Sequence, residues 1–118
     1  MAVSGAGNAI QLEVSRWEGI RIGPHRFGGL EYKLGKRELG HVHGDVLVDV
    51  PLPKGVRNEL VASLQAEPHH VLPLSGWVSV YLNDSSDVER AIRILRRSYE
   101  LAREQRERRE AFGASVKS

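Results

Sequence analysis

Two glycine-led turns, Gly35-Lys36 and Gly44-Asp45, separate three short alternating runs between Leu30 and Val50, and no other part of the chain constrains the fold so tightly. Glycine in the first position of a two-residue loop suits a type II′ hairpin turn. With Gly35-Lys36 as that loop, Leu34 opposes Arg37, Lys33 opposes Glu38, Tyr32 opposes Leu39, Glu31 opposes Gly40 and Leu30 opposes His41. With Gly44-Asp45 as a second, His43 opposes Val46, Val42 opposes Leu47 and His41 opposes Val48. Opposed residues share a face of the sheet. One face then carries Leu30, Tyr32, Leu34, Leu39, His41, His43, Val46, Val48 and Val50; the other carries Glu31, Lys33, Glu38, Val42, Leu47 and Asp49. A slip of one residue would undo this separation. The spacing therefore predicts a three-stranded antiparallel meander with His41 and His43 on its apolar, helix-covered face.

The flanking sequence completes an α+β domain. Residues 1–8 are small and read as a disordered tail, with Asn8 able to cap a helix over 9–17 that carries Ile10, Val14 and Trp17 at helical spacing. Ile20-Arg21-Ile22 reads as a short strand, and the glycines and proline of 23–29 as a loop. Pro51-Leu52-Pro53 closes the meander, and a helix over 54–65 presents Val56, Leu60, Val61 and Leu64 on one side. Residues 76–82 alternate as a strand, with Val78, Val80 and Leu82 inward and Trp77 and Tyr81 on the opposite face. Ser86-Asp87-Val88-Glu89 reads as a capping box that starts the longest helix. Its stripe of Val88, Ala91, Ile92, Leu95, Tyr99 and Ala102 ends at Ala102, so 103–110 should project, held helical by pairs such as Arg103–Glu107. Residues 112–118 read as a disordered tail. The expected architecture is one domain over 9–111, an antiparallel meander with helices packed on one face and a long C-terminal helix.

Composition narrows the chemistry. The chain has no cysteine, which excludes disulfides, thiolate zinc sites and cysteine nucleophiles. Net charge is only +2, and the eight arginines between Glu89 and Glu110 are interleaved with five glutamates. That pattern describes a solvated helix face and not the basic stripe of a nucleic-acid surface. No run approaches the roughly 20 apolar residues of a membrane span, and the first residues lack a secretory pattern, so a cytoplasmic protein is expected. No flavin or nucleotide motif is recognisable, and no cofactor is expected.

Several uncommon motifs occur in order: Gly23-Pro24-His25-Arg26-Phe27-Gly28-Gly29-Leu30-Glu31, Arg37-Glu38-Leu39-Gly40-His41-Val42-His43-Gly44-Asp45, Asp49-Val50-Pro51-Leu52-Pro53, and Pro68-His69-His70-Val71-Leu72-Pro73-Leu74-Ser75-Gly76-Trp77-Val78-Ser79. Over roughly residues 16–103 they resemble the "luciferase domain" family of small bacterial and fungal proteins. A second resemblance, through Trp77-Val78-Ser79-Val80, Asp84 to Asp87 and Ser98-Tyr99-Glu100, is to the MmcQ/YjbR-like proteins. It implies a YjbR-like antiparallel sheet with helices on one face.

The histidines supply the candidate sites. Alternate residues on a strand lie about 6.5–7 Å apart on one face, so His41 and His43 could share a metal ion, with His69, His70 or Asp45 as third ligand. Against this, a histidine on an apolar face is more often neutral and internally bonded. Pro68 to Pro73 form a restricted loop that could bring His69, His70 and Ser75 over the end of the meander. His25 and Arg26 lie on a glycine-rich loop able to close on a ligand. Trp77 and Tyr81 could form an exposed apolar patch for a protein partner or a second copy. Two readings follow: the favoured one is a non-enzymatic binding or interaction domain for an unknown protein or small molecule, and the alternative is an enzyme of unknown reaction with a histidine-lined pocket, with or without a metal ion. In the second, His41, His43 and His69 converge.

Overall fold

Alternation and helical periodicity resolve, in the computed structural model, into six strands and three helices among the described residues, 3–25 and 28–117. In chain order these are α1 (Ala6–Val14), β1 (Ile20–Pro24), β2 (Leu30–Leu34), β3 (Arg37–His43), β4 (Leu47–Pro51), α2 (Lys54–Ala62), β5 (Glu67–Pro68), β6 (Trp77–Tyr81) and α3 (Ser85–Lys117). The strands form one antiparallel sheet in the order β1-β2-β3-β4-β6-β5. The meander is therefore present, extended by β1 on one side and by β6 and the short β5 on the other.

Its register differs from the sequence expectation in two places, and together they move the histidines. The Gly35-Lys36 turn holds, with Leu34 opposite Arg37 and Lys33 opposite Glu38. A bulge then leaves Leu39 as an extra residue, so Tyr32 pairs with Gly40, Glu31 with His41 and Leu30 with Val42. The second turn spans Gly44, Asp45 and Val46, not two residues, which pairs His43 with Leu47, Val42 with Val48 and His41 with Asp49. Val42 thus turns into the core, and His41 and His43 turn out of it. They do not lie on the apolar, helix-facing side. The bulge is fitted to its glycine: a Cβ on Gly40, whose φ is +155°, would stand 2.6 Å from Leu95 Cδ2 and 2.8 Å from the Asp49 carbonyl oxygen.

The core side of the sheet presents Tyr32, Leu39, Val42, Val48, Val50, Val78 and Val80, all at most 3% exposed. Against it pack Ile10 and Val14 of α1 and Ala91, Ile94, Leu95, Tyr99 and Ala102 of α3. Trp17 stacks beside Tyr99, whose hydroxyl donates to the Glu18 carbonyl at 2.6 Å. Each fully buried large side chain of this set contributes about 1.5–3 kcal/mol.

The ends of the helices also differ from expectation. α1 begins at Ala6 without help from Asn8; instead the Asp45 carboxylate accepts the backbone N–H groups of Gly5 (3.1 Å) and Gly7 (2.8 Å). The box at the start of α3 is Asp84 with Asp87, not Ser86 with Glu89. Asp84 Oδ1 accepts the Asp87 N–H at 3.1 Å, and Asp87 Oδ2 accepts the Asp84 N–H at 3.0 Å. Beyond Ala102 the helix carries ion pairs such as Arg106–Glu110 and runs on to Lys117, through residues expected to lie outside the domain. α2 stops at Ala62, short of 65. Among the described residues, no helix is long and apolar enough to cross a membrane.

Candidate functional site: a carboxylate ringed by histidines

The corrected register lays one row of side chains across the open face of the sheet. Reading from β2 to β5, Glu31 pairs with His41, His41 with Asp49, Asp49 with Ser79 and Ser79 with Glu67. His43 lies two residues beyond His41 on the same face of β3. The loop after β5 carries His69 and His70 back over the row, and His25, at the end of β1, stacks on His41 with ring centroids 4.0 Å apart. Four of the chain's five histidines therefore gather around one strand position, and the fifth, His25, joins them through His41.

That position is Asp49, which has no exposed surface. Its Oδ2 lies 3.1 Å from His41 Nε2, 3.1 Å from His43 Nε2, 3.4 Å from His69 Nε2 and 3.0 Å from His70 Nε2. Its Oδ1 accepts the Ser79 hydroxyl at 2.6 Å. On the far side of His41, Nδ1 donates to Glu38 Oε2 at 2.8 Å, and Glu38 Oε1 is 4.0 Å from His25 Nε2. Trp77 forms a wall, its ring 5.3 Å from that of His41 and 5.9 Å from that of His69. These groups line a cleft of about 980 Å³, whose mouth is edged by Val71, Leu72, Lys33 and Lys36.

Backbone donors fix one tautomer outright. His69 Nδ1 is approached by the N–H groups of Val71 (3.1 Å) and Leu72 (3.0 Å). A backbone N–H can only donate, so this nitrogen carries no proton, and in the neutral ring the proton sits on Nε2, facing Asp49. Burial lowers the His69 pKa, and the positive charges of His70 and His41 add to it against the pull of Asp49. Burial also disfavours charge on His41, but its hydrogen bonds to Asp49 and Glu38 outweigh this and raise its pKa to about 9. Asp49 is the mirror case. Burial works against its charge, yet the hydrogen bonds from His41, Ser79 and His70 hold it well below the usual carboxylate range. His25 is lowered, by burial and then by His41, in spite of Glu38 and Glu31.

The sequence candidates separate accordingly. His25, His41, His43, His69, His70 and Trp77 come together. Asp45 does not join them, being occupied with the start of α1. Ser75 is also elsewhere: its hydroxyl donates to the Leu72 carbonyl and accepts the Trp77 N–H, bracing the loop. Tyr81 shares the open face but lines a separate, smaller pocket with Leu64, Gln65 and Arg90. Arg26 lies outside the described residues. Three residues that were not among the sequence candidates complete the site: Asp49, Glu38 and Ser79. The signal for two of them was a lone acid between Val48 and Val50 and a lone serine between Val78 and Val80, each the one polar side chain of a strand centre; Glu38, in the charged run Lys36-Arg37-Glu38, had no such signal.

Fold and site define a class: a small α+β domain whose helices cover one face of an antiparallel sheet and whose other face holds a histidine–carboxylate cleft. The chain belongs to the Luciferase domain family, whose model matches residues 36–98, 63 of the 118. The matched segment holds Asp49 and four of the five histidines. Among curated proteins and among solved structures, none matches the chain.

Proposed function

We propose that this domain binds a small organic molecule in the open-face cleft and that the imidazoles at its floor act on it chemically, in the manner of an enzyme pocket. One observation carries the reading: four histidines from two separate segments converge on a single buried carboxylate at the bottom of a cleft, with His25 stacked on one of them. A structural role alone gives no reason for this. Taking a carboxylate fully out of water costs several kcal/mol, and well-packed apolar side chains at the same positions would often be as stable or more so. Titratable groups whose proton affinities are pushed in opposite directions within one cleft are the usual material of proton transfer. The mouth supports a ligand with an apolar part, since Val71 and Leu72 stand 67% and 52% exposed beside the indole of Trp77.

The competing reading, an interaction surface built on Trp77 and Tyr81, is weakened by their separation into two different pockets. A library of aromatic acids and phenols, followed by amide chemical shifts on chelator-treated protein, separates the two. Hits that move His41, His43, Val71 and Trp77, and that weaken in Trp77→Ala, support the pocket. Hits confined to other surfaces, or shifts at Trp77 and Tyr81 that depend on protein concentration alone, would refute it.

A further inference from the structure

We propose that the cleft floor holds one divalent first-row transition-metal ion, bound by His41 Nε2, His43 Nε2 and Asp49 Oδ2, with its remaining positions open to the cleft. This rests on reading the cleft as the working site. It adds the ion, the ligands and the groups that orient them.

The first argument is a surplus of nitrogen. A carboxylate oxygen offers about two lone-pair directions, and Asp49 Oδ2 has four imidazole nitrogens within 3.4 Å. Oδ1 does not share the load: it accepts the Ser79 hydroxyl at 2.6 Å, while all four imidazoles address Oδ2. Three of those nitrogens stand at hydrogen-bond distance, 3.0–3.1 Å, with His69 Nε2 behind them at 3.4 Å, so the oxygen faces more imidazoles than it has lone-pair directions. A cation among them removes the conflict, since unprotonated imidazole nitrogens and the carboxylate oxygen then point at the same charge.

The second argument is distance. The ligand atoms of His41, His43 and Asp49 all lie within 4.8 Å of one another, and both nitrogens are 3.1 Å from the oxygen. For metal–ligand bonds of about 2.1 Å, neighbouring ligands in tetrahedral to octahedral geometry stand about 3.0–3.4 Å apart. The site therefore needs little rearrangement to close on an ion.

The third argument comes from the groups around the ligands. A ligating histidine usually gives its other N–H to a carboxylate, as His41 Nδ1 does to Glu38 at 2.8 Å. Ser79 fixes the carboxylate from behind. His69 is excluded as a ligand, because its Nδ1 accepts two backbone N–H groups and its Nε2 carries the proton. The alternative triad of Asp49, His69 and His70 falls with it, leaving His69 as a donor that holds Asp49 in place. Two imidazoles and one carboxylate on one face form the arrangement found in non-haem iron oxygenases, and three-ligand sites of this kind also serve catalytic zinc.

Co²⁺ titration of the full chain after chelator treatment, read by visible absorption and by competition with Zn²⁺, tests this directly. One equivalent should bind. His43→Ala, whose side chain is 29% exposed and whose loss should leave the fold intact, should weaken binding by about 100-fold or more. Asp49→Asn should do the same. His69→Gln should weaken it only about 10–100-fold with the same spectrum, and His70→Ala less than about tenfold. In ¹⁵N spectra with Zn²⁺, Nε2 of His41 and His43 should shift to metal-bound positions while His69 Nε2 keeps its proton. No binding by the folded protein, full binding by folded His43→Ala, or a metal-bound His69 Nε2 would each overturn the proposal. Organic fragments bind the chelator-treated protein independently of the ion. A protein that takes them but not Co²⁺ therefore refutes the metal site alone, and one that takes Co²⁺ but no fragment refutes the reading of the cleft.

Discussion

Replacing Asp49 by asparagine should change how stability depends on pH, by an amount that follows from His41. In metal-free protein the His41 pKa is raised from 6.5 to about 9, and the ring faces charged or titratable groups on every side: Glu38, Asp49, His25, His43, His69 and His70. A group whose folded pKa lies above its unfolded value contributes stability that is complete below the unfolded pKa and is lost as pH rises through the folded one. A difference of about 2.5 units at 1.36 kcal/mol per unit corresponds to about 3 kcal/mol. His41 is 7% exposed, so solvent screens little of it. The His41 contribution to the unfolding free energy of the wild type should therefore fall by about 3 kcal/mol between about pH 6 and pH 9.5, offset in part below about pH 7.5 by His25 and His69, whose lowered pKa values add stability as pH rises. The amide of the Asp49→Asn variant carries no charge, which leaves Glu38 alone to oppose the burial of His41, so the His41 pKa should fall and a large part of that slope should vanish. Urea unfolding at the two pH values, with chelator present, measures the slope, and proton NMR of the His41 ring measures the pKa. A variant that keeps both the slope and a pKa near 9 would show that Glu38 alone, and not Asp49, holds the proton.

Three further outcomes are expected elsewhere in the fold. Tyr32 has a buried hydroxyl with no hydrogen-bond partner among the described residues, and burial raises its pKa to about 12. Tyr32→Phe should therefore be neutral or stabilising by about 1 kcal/mol in thermal unfolding, and one tyrosine should be missing from the wild-type ultraviolet titration until about pH 12; a loss of more than about 1 kcal/mol would reveal a partner for the hydroxyl. Gly40→Ala drives a methyl group into the Asp49 carbonyl and Leu95, and should cost about 1–3 kcal/mol in urea unfolding while shifting the His41 ring signals. Asp45→Ala removes the acceptor for two N–H groups at the start of α1, and should cost about 1 kcal/mol with no change in Co²⁺ affinity; a change in affinity would place Asp45 back among the ligands.

Local periodicity was enough for every element except the two-residue β5, and for most faces. Val78, Val80 and Leu82 point inward and Trp77 and Tyr81 do not, because a five-residue strand with one apolar side admits only one orientation. The stripe on α3 was legible for the same reason, apart from Ile94, which is 3% exposed and lies between two predicted positions. The register of β3 was not legible from alternation. Leu39 beside Gly40 lets either residue be read as the inward one, and the choice is made by Leu95 and the β4 backbone, which only the folded chain supplies. Val46 resembles a strand residue, yet it sits 53% exposed in the turn, with its carbonyl accepting the Leu82 N–H at 2.8 Å.

Desolvation is the physical term that separates the two registers. The unbulged register buries His41 and His43 under helices and exposes Val42. The bulged one buries Val42 and puts both imidazoles on the open face beside Asp49. Burying an unpaired polar ring costs more than one irregular strand position, so Gly40-His41-Val42-His43 reads more naturally with its valine inward. The same choice determines what the histidines can do. Beneath helices they could have been satisfied only by fixed backbone groups. On the open face two of them share a carboxylate across the next strand, and the fold leaves a cleft over the three ligand atoms.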